Sequence, residues 1–488
     1  MNDFIAYFML MGALSTGGDL PFWCTSNQWG IYPDSNGMCT LAGVEKPFNM
    51  DKTIDWRAGA SMALRADGVA PGKTFSMTPM VDQLYAAFRW KFLMAEIGQK
   101  RSDLDFYGPS KHLGSLSTTG GSLIFTGNSR ALPGIRLELM KVAFPWTKEH
   151  LWFWGSIGEY LTLDNRYVKH AGIHRLKLFT EVRFAKHWGI SLGIDHYAVF
   201  GGYSPDEPDL KFTFKDWLRV LVGASASSKG PVMDQMNVIG DQGGAELIRL
   251  NYYSDRWNIF FQHEIPYADK SGMKFQNFPD GVNTFCFSFK DKNRWVSDIV
   301  YEFYYTRYQS GPIHDSETDA NGNQRPWEPG LSFIGDDDYF NNGCYQSGWT
   351  YYGRMMTSPL FFPVGTHEGS WNRDAIVLGT ENNRIMAHHI GLGGKFFRKL
   401  PYRLMLTYSQ NYGRYIKQYA GENAKNKKWG TVKETPLHQF SLGLSGEVPE
   451  DLLAKGLTLT WGIYGDVGEV LKNNFALSLG LRYSIGGR

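Results

Sequence analysis

The sequence contains no long hydrophobic run. Its longest apolar stretch, Phe4 to Leu14, includes Gly12 and is about half as long as the roughly 20 residues that a helix needs to cross a bilayer. Mean hydropathy is −0.33. These values exclude a membrane protein built of helices. They do not exclude a membrane β-barrel, because only every second residue of such a strand faces lipid.

The same stretch lacks the features of a secretion signal. Asp3 precedes it, and neither a basic segment nor a cleavage site of small residues flanks it. Because a barrel has to be exported, we expect that a signal peptide has been removed and that Met1 is not native to the mature chain. No linker or composition shift divides residues 1–488, so we predict a single barrel domain without a separate N-terminal helical domain.

Charge asymmetry and catalytic motifs are also missing. The 50 basic and 48 acidic residues give a net charge of +2, and no polybasic run marks a nucleic-acid surface. The sequence has no GxSxG, HExxH, Walker or CxxC motif. We therefore expect no enzyme activity, no cofactor and no nucleic-acid partner.

Several glutamates lie on or near predicted strands, and a glycosidase needs two carboxylates that face one bond. Nothing in the sequence pairs these residues in space, so we interpret them as charges in a wet interior beside Arg136, Arg183 and Arg403. The glutamates are Glu138, Glu159, Glu181, Glu264 and Glu302.

The chain has only four cysteines. Cys24 and Cys39 flank a loop rich in Asn, Gly and Pro, so a disulfide between them is one option in an exported protein. Cys286 lies in the apolar segment FCFSF and is predicted to pack as a small hydrophobic residue. The sequence alone does not determine the connectivity.

What the sequence does have is strict alternation, most clearly in FALSLGLRYSI at residues 475–485. Large apolar side chains take every second position and small or polar ones fill the gaps, which predicts a strand with one apolar face. Either a sandwich or a membrane barrel gives this pattern. Other segments repeat it with charges on the second face, and such charges are costly in a dry core. We therefore predict an all-β fold, a transmembrane antiparallel β-barrel in which this last strand closes against the first.

Further strands are predicted along the whole chain, at 56–66, 85–97, 135–140, 188–195, 257–264, 299–306, 402–409, 439–445 and 457–464. Several of their apolar faces begin or end on Trp or Tyr, as an interfacial girdle requires. Short turns contrast with long loops such as 311–340 and 410–435, which is the asymmetry of outer-membrane barrels. The predicted location is therefore a bacterial outer membrane with surface-exposed loops.

One segment breaks the strand rhythm. In FTFKDWLRVLV, residues 212–222, Phe214, Trp217, Leu218 and Leu221 recur at helical spacing. This pattern predicts a short amphipathic helix, either in the lumen or across a rim of the barrel, with a further strand as the alternative. Two pairs of glycines, Gly201–Gly202 and Gly393–Gly394, are interpreted as bulges or bends.

An acidic loop has part of the spacing of a calcium-binding EF-hand loop. Alternate oxygen ligands and a turn glycine wrap one cation in such loops, but here Pro326 interrupts the loop and no helices are predicted around it. We favour a solvated loop and predict no metal. The residues concerned are Glu317, Asp319, Asn321, Gly322 and Glu328. Asp336, Asp337 and Asp338 are likewise interpreted as a solvated loop.

Three stretches resemble the Wzi family of outer-membrane capsule-assembly proteins. They are TGGDLPFWCTSNQWGIYP at 16–33, FKDWLRVLVG at 214–223 followed by IGDQGGAELIRLNYY at 239–253, and DYFNNGCYQSGWTYYGRMMTSPLFFP at 338–363 after VYEFYYTRYQSGP at 300–312. The resemblance implies a monomeric barrel of about 18 strands that retains capsular polysaccharide without catalysis. Its implied partners are polysaccharide, outer-membrane lipid and lipopolysaccharide, and the barrel-insertion machinery. Enterobacterial members carry an N-terminal periplasmic helical bundle, which we do not expect in this chain.

The predicted long loops carry aromatic residues whose faces suit sugar rings, with packing within a girdle or loop as the alternative for each. The predicted glycan-binding residues are Trp327, Tyr339, Tyr345, Trp349, Tyr351, Trp371 and Tyr412. The leading hypothesis is a non-enzymatic, lectin-like surface protein that anchors polysaccharide. A substrate-specific channel is the alternative, because a large polar lumen conducts unless it is plugged, and a structural component of a surface secretion system is a third.

Overall fold

The chain forms one closed β-barrel in a computed structural model. The structure describes residues 4–69, 74–102, 113–204, 212–221, 239–268, 272, 275–311, 314–315, 333–334, 337–366, 379–414 and 435–486. No helix among these residues is long and apolar enough to cross a membrane.

The barrel sheet contains 18 strands, each hydrogen-bonded to the strands before and after it in the chain. These strands are β1 (Ile5–Ser15), β2 (Gly37–Lys46), β3 (Ile54–Asp67), β4 (Ser76–Trp90), β5 (Leu93–Gln99), β6 (Pro133–Ala143), β7 (Leu151–Leu161), β8 (Gly172–Phe184), β9 (Trp188–Phe200), β10 (Asp241–Tyr253), β11 (Trp257–Tyr267), β12 (Gly281–Phe289), β13 (Asp298–Tyr305), β20 (Ile385–Phe396), β21 (Leu400–Asn411), β22 (Leu437–Val448), β23 (Leu457–Gly468) and β24 (Asn474–Ile485).

Short elements lie between the barrel strands. They are helices α1 (Phe22–Thr25) and α2 (Phe214–Leu221), the 3-10 turns Leu113–Leu116 and Glu450–Leu452, and the small strands β14 (His314–Asp315), β15 (Phe333–Ile334), β16 (Thr350–Tyr351), β17 (Arg354–Met355), β18 (Phe362–Pro363) and β19 (Thr380–Asn382). The small strands pair with one another outside the barrel sheet.

The last strand closes the barrel as the alternation predicts. β24 pairs antiparallel with β1, from Ala6 opposite Ile485 to Ser15 opposite Ala476. Leu477, Leu479 and Leu481 are exposed on the outer face, whereas Ala476 is buried inside. Closure leaves no free strand edge, so every barrel strand has two hydrogen-bonded neighbours.

The outer surface carries an aromatic girdle at one end. The outward rings of Trp188, Tyr252, Trp257 and Phe287 follow one another on neighbouring strands, with centroids 4.8, 5.2 and 5.9 Å apart. Such rings suit a membrane–water interface. Exposed Leu192, Ile248 and other apolar side chains lie beyond them along the strands, as lipid contact requires.

Two strand predictions differ from the structure. The single strand predicted at 85–97 is the hairpin of β4 and β5, which turns at Lys91 and Phe92. Gly393–Gly394 lies in a stretch of β20 whose pairing with β21 is regular, so it is not a bulge. Gly201 and Gly202 do bend the chain after β9, with φ values of 60° and 90°.

The two ends of the barrel differ in their connections. At the end that holds residues Ile5 and Ile485, turns are short, such as 91–92 after β4 and 185–187 after β8. At the opposite end the connections include 16–36, 100–132, 201–240 and 306–384. We call these the short-turn end and the long-loop end. In outer-membrane barrels the long loops are extracellular.

The lumen is filled by segments of these long connections. Phe22 and Trp23 of α1, Leu123 and Ile124 of the β5–β6 connection, and Trp349 of the β13–β20 connection belong to one buried apolar cluster. Inward-facing wall residues complete the same cluster. The barrel therefore has a packed interior of its own, made by loops that fold inward.

The cysteines belong to this interior and not to a disulfide. All four are free thiols, with Cys24, Cys39 and Cys286 buried and Cys344 half-buried. The possible Cys24–Cys39 bond is therefore absent from the structure. Cys286 packs inward from β12 as a small apolar residue, as predicted.

Helix α2 forms where the helical spacing predicts it, but it does not lie in the lumen. It packs on the outer face of the wall near the long-loop end, where Val220 contacts Ala198. Ala198 alternates with Tyr197 and Val199, which belong to the interior cluster, so it faces outward. Trp217 Nε1 donates to the Glu159 carboxylate at 2.7 Å.

We predict that Leu479→Arg destabilises the barrel by roughly 2–4 kcal/mol, because it places a charge in mid-membrane hydrocarbon. Leu479 is 60% exposed on the outer face of β24. Ser478→Arg is the matched control, since Ser478 faces the lumen and lies 3.5 Å from the Tyr464 hydroxyl. Urea titration of folding into lipid vesicles measures both. Equal losses would contradict the assigned facing.

Candidate functional site: the filled lumen and the long-loop end

The centre of the lumen is crossed by residues 113–132 of the β5–β6 connection, which we call the crossing segment. Its main polar anchor is Glu302, at the middle of β13 and fully buried. Thr118 donates to Glu302 Oε2 from its amide at 2.9 Å and its hydroxyl at 2.6 Å, and the Ser117 hydroxyl donates to Oε1. Charge-assisted bonds of this kind are stronger than neutral ones.

Two more wall carboxylates bind the crossing segment. Glu264 of β11 accepts the amide of Leu123 at 3.1 Å. Asp195 of β9 accepts the hydroxyl of Ser122 at 2.6 Å and pairs bidentately with Arg175, at 2.9 and 2.6 Å. Three strands thus direct carboxylates at one short stretch of backbone and hydroxyls, which fixes its position.

The crossing segment also touches the wall where the wall is made of glycine. A Cβ atom at Gly391 of β20 would lie 2.0 Å from the carbonyl oxygen of Leu116. Next to it, His389 Nε2 contacts that carbonyl at 2.9 Å and Nδ1 contacts Thr407 Oγ1 at 2.8 Å. Glycine at 391 therefore permits an approach that any other side chain would block.

Residues 337–366 of the β13–β20 connection hold the crossing segment from the long-loop side. Trp349 Nε1 donates to the carbonyl of Ile124 at 2.8 Å. The backbone amide of Thr126 donates to the carbonyl of Met356 at 2.9 Å. The Trp349 ring stacks on Tyr197 of β9 with centroids 3.7 Å apart. Loop and crossing segment therefore form one packed unit.

Most predicted lumenal glutamates face inward, but Glu159 does not. Glu138, Glu181, Glu264 and Glu302 point into the barrel, where Glu138 pairs with Arg136 at 3.3 Å. Glu159 faces outward beneath α2 and contacts His174 Nδ1 at 2.6 Å. The error arises from the phase of β7, in which Trp154 and Tyr160 take the inward positions.

Toward the short-turn end the inner wall is basic and aromatic. Lys141 and Arg183 share the carboxylate of Glu181, with Arg183 Nε at 2.8 Å. The Lys141 ammonium lies 4.4 Å from the ring centroid of Trp154, and the Arg183 guanidinium lies 4.5 Å from that of Trp152. Both cations therefore also make cation–π contacts. Because the two share a single carboxylate, this part of the inner wall has an excess of positive charge. The sequence analysis placed Arg183 and Glu181 in the interior, but it did not identify the aromatic rings beside them.

The predicted glycan-binding aromatics are mostly inside the protein. Tyr339, Tyr345, Trp349 and Tyr351 are buried, so their rings offer no face to an external sugar in this structure. Trp327 and Trp371 lie outside the described residues. Tyr412 is half-buried at the long-loop end. That these residues bind a glycan stays a prediction, and of the five in the described part of the chain Tyr412 is the one that is not buried.

Tyr412 is accompanied by residues that sequence reasoning did not identify. The Arg307 guanidinium lies 3.8 Å from the ring centroid of Tyr412. The Tyr412 hydroxyl donates to the side-chain oxygen of Gln410 at 2.9 Å. Exposed Tyr308 follows Arg307. An arginine, an amide and two tyrosines at one rim are suited to hydroxyl-rich or carboxylate-bearing rings. The sequence indicates Arg307 and Tyr308 only through their position, two and three residues after the end of β13.

The acidic residues singled out in the sequence lie partly inside and partly outside the described part of the chain. Glu317, Asp319, Asn321 and Glu328 lie outside the described residues. Among the residues that are described, no group of three potential metal ligands is found. Asp338, predicted to be solvated, instead pairs with Arg414 and accepts Asn341 Nδ2 at 3.0 Å. It tethers the β13–β20 connection to the chain after β21.

The barrel is similar to solved outer-membrane proteins. Wzi of Escherichia coli, a carbohydrate-binding β-barrel involved in group 1 capsule assembly, has a TM-score of 0.54 and 12% identity over 97% of this chain and 83% of that chain. OccK3 of Pseudomonas aeruginosa has a TM-score of 0.46, 9% identity and coverage of 99% and 96%. OccAB4 of Acinetobacter baumannii has a TM-score of 0.44, 10% identity and coverage of 99% and 98%.

The sequence matches no protein-family model and no curated protein. At 12% identity the likeness to Wzi establishes the fold and not the family. The prediction of an outer-membrane type of β-barrel with 18 antiparallel strands is therefore confirmed.

We predict that Glu302→Gln loosens the crossing segment, because the new amide NH₂ faces the donors that the carboxylate accepted. A buried unsatisfied donor costs about 1–3 kcal/mol. Hydrogen exchange of residues 113–122 measures the effect. Glu138→Gln is the control, since the Glu138 side chain is 30% exposed and pairs with Arg136 of the same strand. Unchanged exchange in Glu302→Gln would show that Glu302 does not hold the segment.

A second prediction concerns pH at the long-loop end. Burial raises the pKa of the Asp280 carboxyl to about 6, although the amides of Gln309 and Tyr308 favour its charged form. A raised folded-state pKa means that this group's contribution to stability falls as pH rises from about 4 to above 6. Exchange of the Tyr308 and Gln309 amides, corrected for intrinsic rates, should quicken across that window. Asp280→Asn should abolish this pH dependence, and its persistence would assign it to another group.

Proposed function

We propose that this protein is a bacterial outer-membrane barrel that binds extracellular polysaccharide at the cell surface and retains it without catalysis. The observation that carries the proposal is the crossing segment, which occupies mid-lumen and is fixed there by Glu302, Glu264 and Asp195. A barrel whose long loops fill its own interior is better suited to display a surface than to pass solutes.

Two further observations support the binding role. The long-loop end presents Tyr412 beside Arg307 and Tyr308, which is a mixed aromatic and hydrogen-bonding surface. The overall fold is similar to that of a carbohydrate-binding barrel. The polysaccharide that such a rim would suit carries carboxylates or many hydroxyls, because the rim offers a guanidinium and phenol groups.

A substrate-specific channel is the second candidate function. It is favoured by the excess of positive charge at Lys141 and Arg183 on the short-turn half of the lumen. An anionic solute would meet these cations if the crossing segment moved aside. The two functions make opposite predictions for conductance.

Planar-bilayer recording and a retention assay separate the candidates. We expect the purified protein to show no steady open conductance, and deletion of its gene in the source bacterium to shift polysaccharide from attached to shed. A steady open channel would support the second candidate. Unchanged retention together with a silent bilayer would count against both.

A further prediction tests the rim directly. Tyr412→Ala should weaken binding of polysaccharide extracted from the source bacterium by roughly 0.5–1.5 kcal/mol, the usual contribution of one aromatic contact. Tyr402→Ala is the matched control, because Tyr402 lies at the short-turn end and stacks on Phe396. Equal affinities for the two variants in cosedimentation would remove Tyr412 from the site.

A further inference from the structure

Helix α2 places an exposed apolar stripe on the outside of the barrel. Phe214 is 71% exposed and Leu218 is 46% exposed, and their spacing puts them on one face of a helix with 3.6 residues per turn. Val220 and Trp217 contact the wall, and the Phe214 ring stacks on the Trp217 ring with centroids 5.5 Å apart. At about 100° per residue, the apolar stripe lies beside the wall-facing side of α2 and is exposed along the outer surface of the barrel.

A basic stripe lies beside the apolar one. Lys215 and Arg219 are also four residues apart, and they follow Phe214 and Leu218 around the helix by one position each. Lys215 is exposed, and the Arg219 guanidinium pairs with Asp216 at 2.9 Å. An apolar face flanked by cations is the pattern of a helix that lies in a membrane interface.

The height of α2 on the wall agrees with that position. On β9 the outward residues Trp188, Ile190 and Leu192 are exposed, whereas Ala198 is covered by α2. From Trp188 to Ala198 a strand tilted by about 40° rises roughly 25 Å, about the height of the apolar band. Since Trp188 marks one interface, α2 lies at the other, continuous with the lipid-facing surface.

The wall beneath α2 explains why a helix is needed there. Glu159 and His174 face outward as a hydrogen-bonded pair, 2.6 Å apart, and His174 is fully buried. Polar groups are costly against hydrocarbon. Trp217 donates to the Glu159 carboxylate at 2.7 Å, so α2 covers His174 and satisfies one oxygen of Glu159, whose side chain remains 36% exposed.

We propose that α2 is a lipid-binding helix that lies in the outer interface of the membrane. Phe214 and Leu218 insert among acyl chains, and Lys215 and Arg219 bind the phosphates of anionic lipid headgroups. This surface is separate from the polysaccharide-binding rim and does not depend on the proposed function.

Site-directed spin labelling of the full-length protein in vesicles tests the proposal. Nitroxides are attached at Leu218→Cys or Lys215→Cys, with half-buried Cys344 replaced by Ser. The measured quantity is the ratio of a label's collision rate with oxygen, which concentrates in lipid, to its collision rate with a water-soluble nickel chelate. We expect this ratio to be severalfold higher for the label at 218 than for the label at 215. Equal nickel accessibility at the two sites would overturn the proposal.

The headgroup part has its own measurement. Adding phosphatidylglycerol to phosphatidylcholine vesicles should move the label at 218 deeper, and Lys215→Glu should cancel that shift. A depth that is the same in both vesicle types would overturn phosphate recognition while leaving acyl-chain insertion in place. Both variants change exposed side chains, so refolding into the barrel, checked by heat-modifiable migration, serves as the control.

Discussion

The interior of this barrel depends on carboxylates placed at mid-height on its wall. An empty lumen would solvate Glu302, Glu264 and Asp195 with water, so each bond from the crossing segment adds only about 1.5–3 kcal/mol net. Burial of Leu113, Leu116, Leu123 and Ile124 adds about 1.5–3 kcal/mol for each side chain. The carboxylates therefore specify where the segment sits, while the apolar side chains supply much of the affinity. Neither set would fill the lumen in a unique way by itself.

Polar groups on the outside of the wall also need hydrogen-bond partners, because lipid, unlike water, does not supply them. Glu159 and His174 break the apolar outer pattern of β7 and β8, and lipid would not solvate them. The chain solves this by laying α2 over them, with Trp217 as the hydrogen-bond donor. Two irregular elements of the barrel, the crossing segment and α2, thus provide hydrogen-bond donors to wall carboxylates on opposite faces.

Alternation predicted the barrel and the facing of β24, because a period of two follows from strand geometry alone. The β4–β5 hairpin was missed because its turn, Lys91 and Phe92, has none of the usual turn residues. The crossing segment was missed because its Ser, Thr and Gly residues have the composition of an exposed loop. The inward pair Gly391 and Gly393 was its only trace. Loop aromatics such as Trp349 were expected at the surface, and composition cannot distinguish a loop that folds inward.

The packing of the loop against the crossing segment would couple the two proposed functions, surface binding and conduction. Any opening of the lumen has to break the Trp349–Ile124 and Thr126–Met356 bonds as well as those to Glu302. A polysaccharide that contacts the chain around Tyr412 acts on the same unit, because Arg414 binds Asp338 at the start of residues 337–366. Binding at the rim would therefore shift the balance between a filled and an open lumen only if the ligand had different affinities for the two. The buried carboxylates set the free energy that such a difference must exceed.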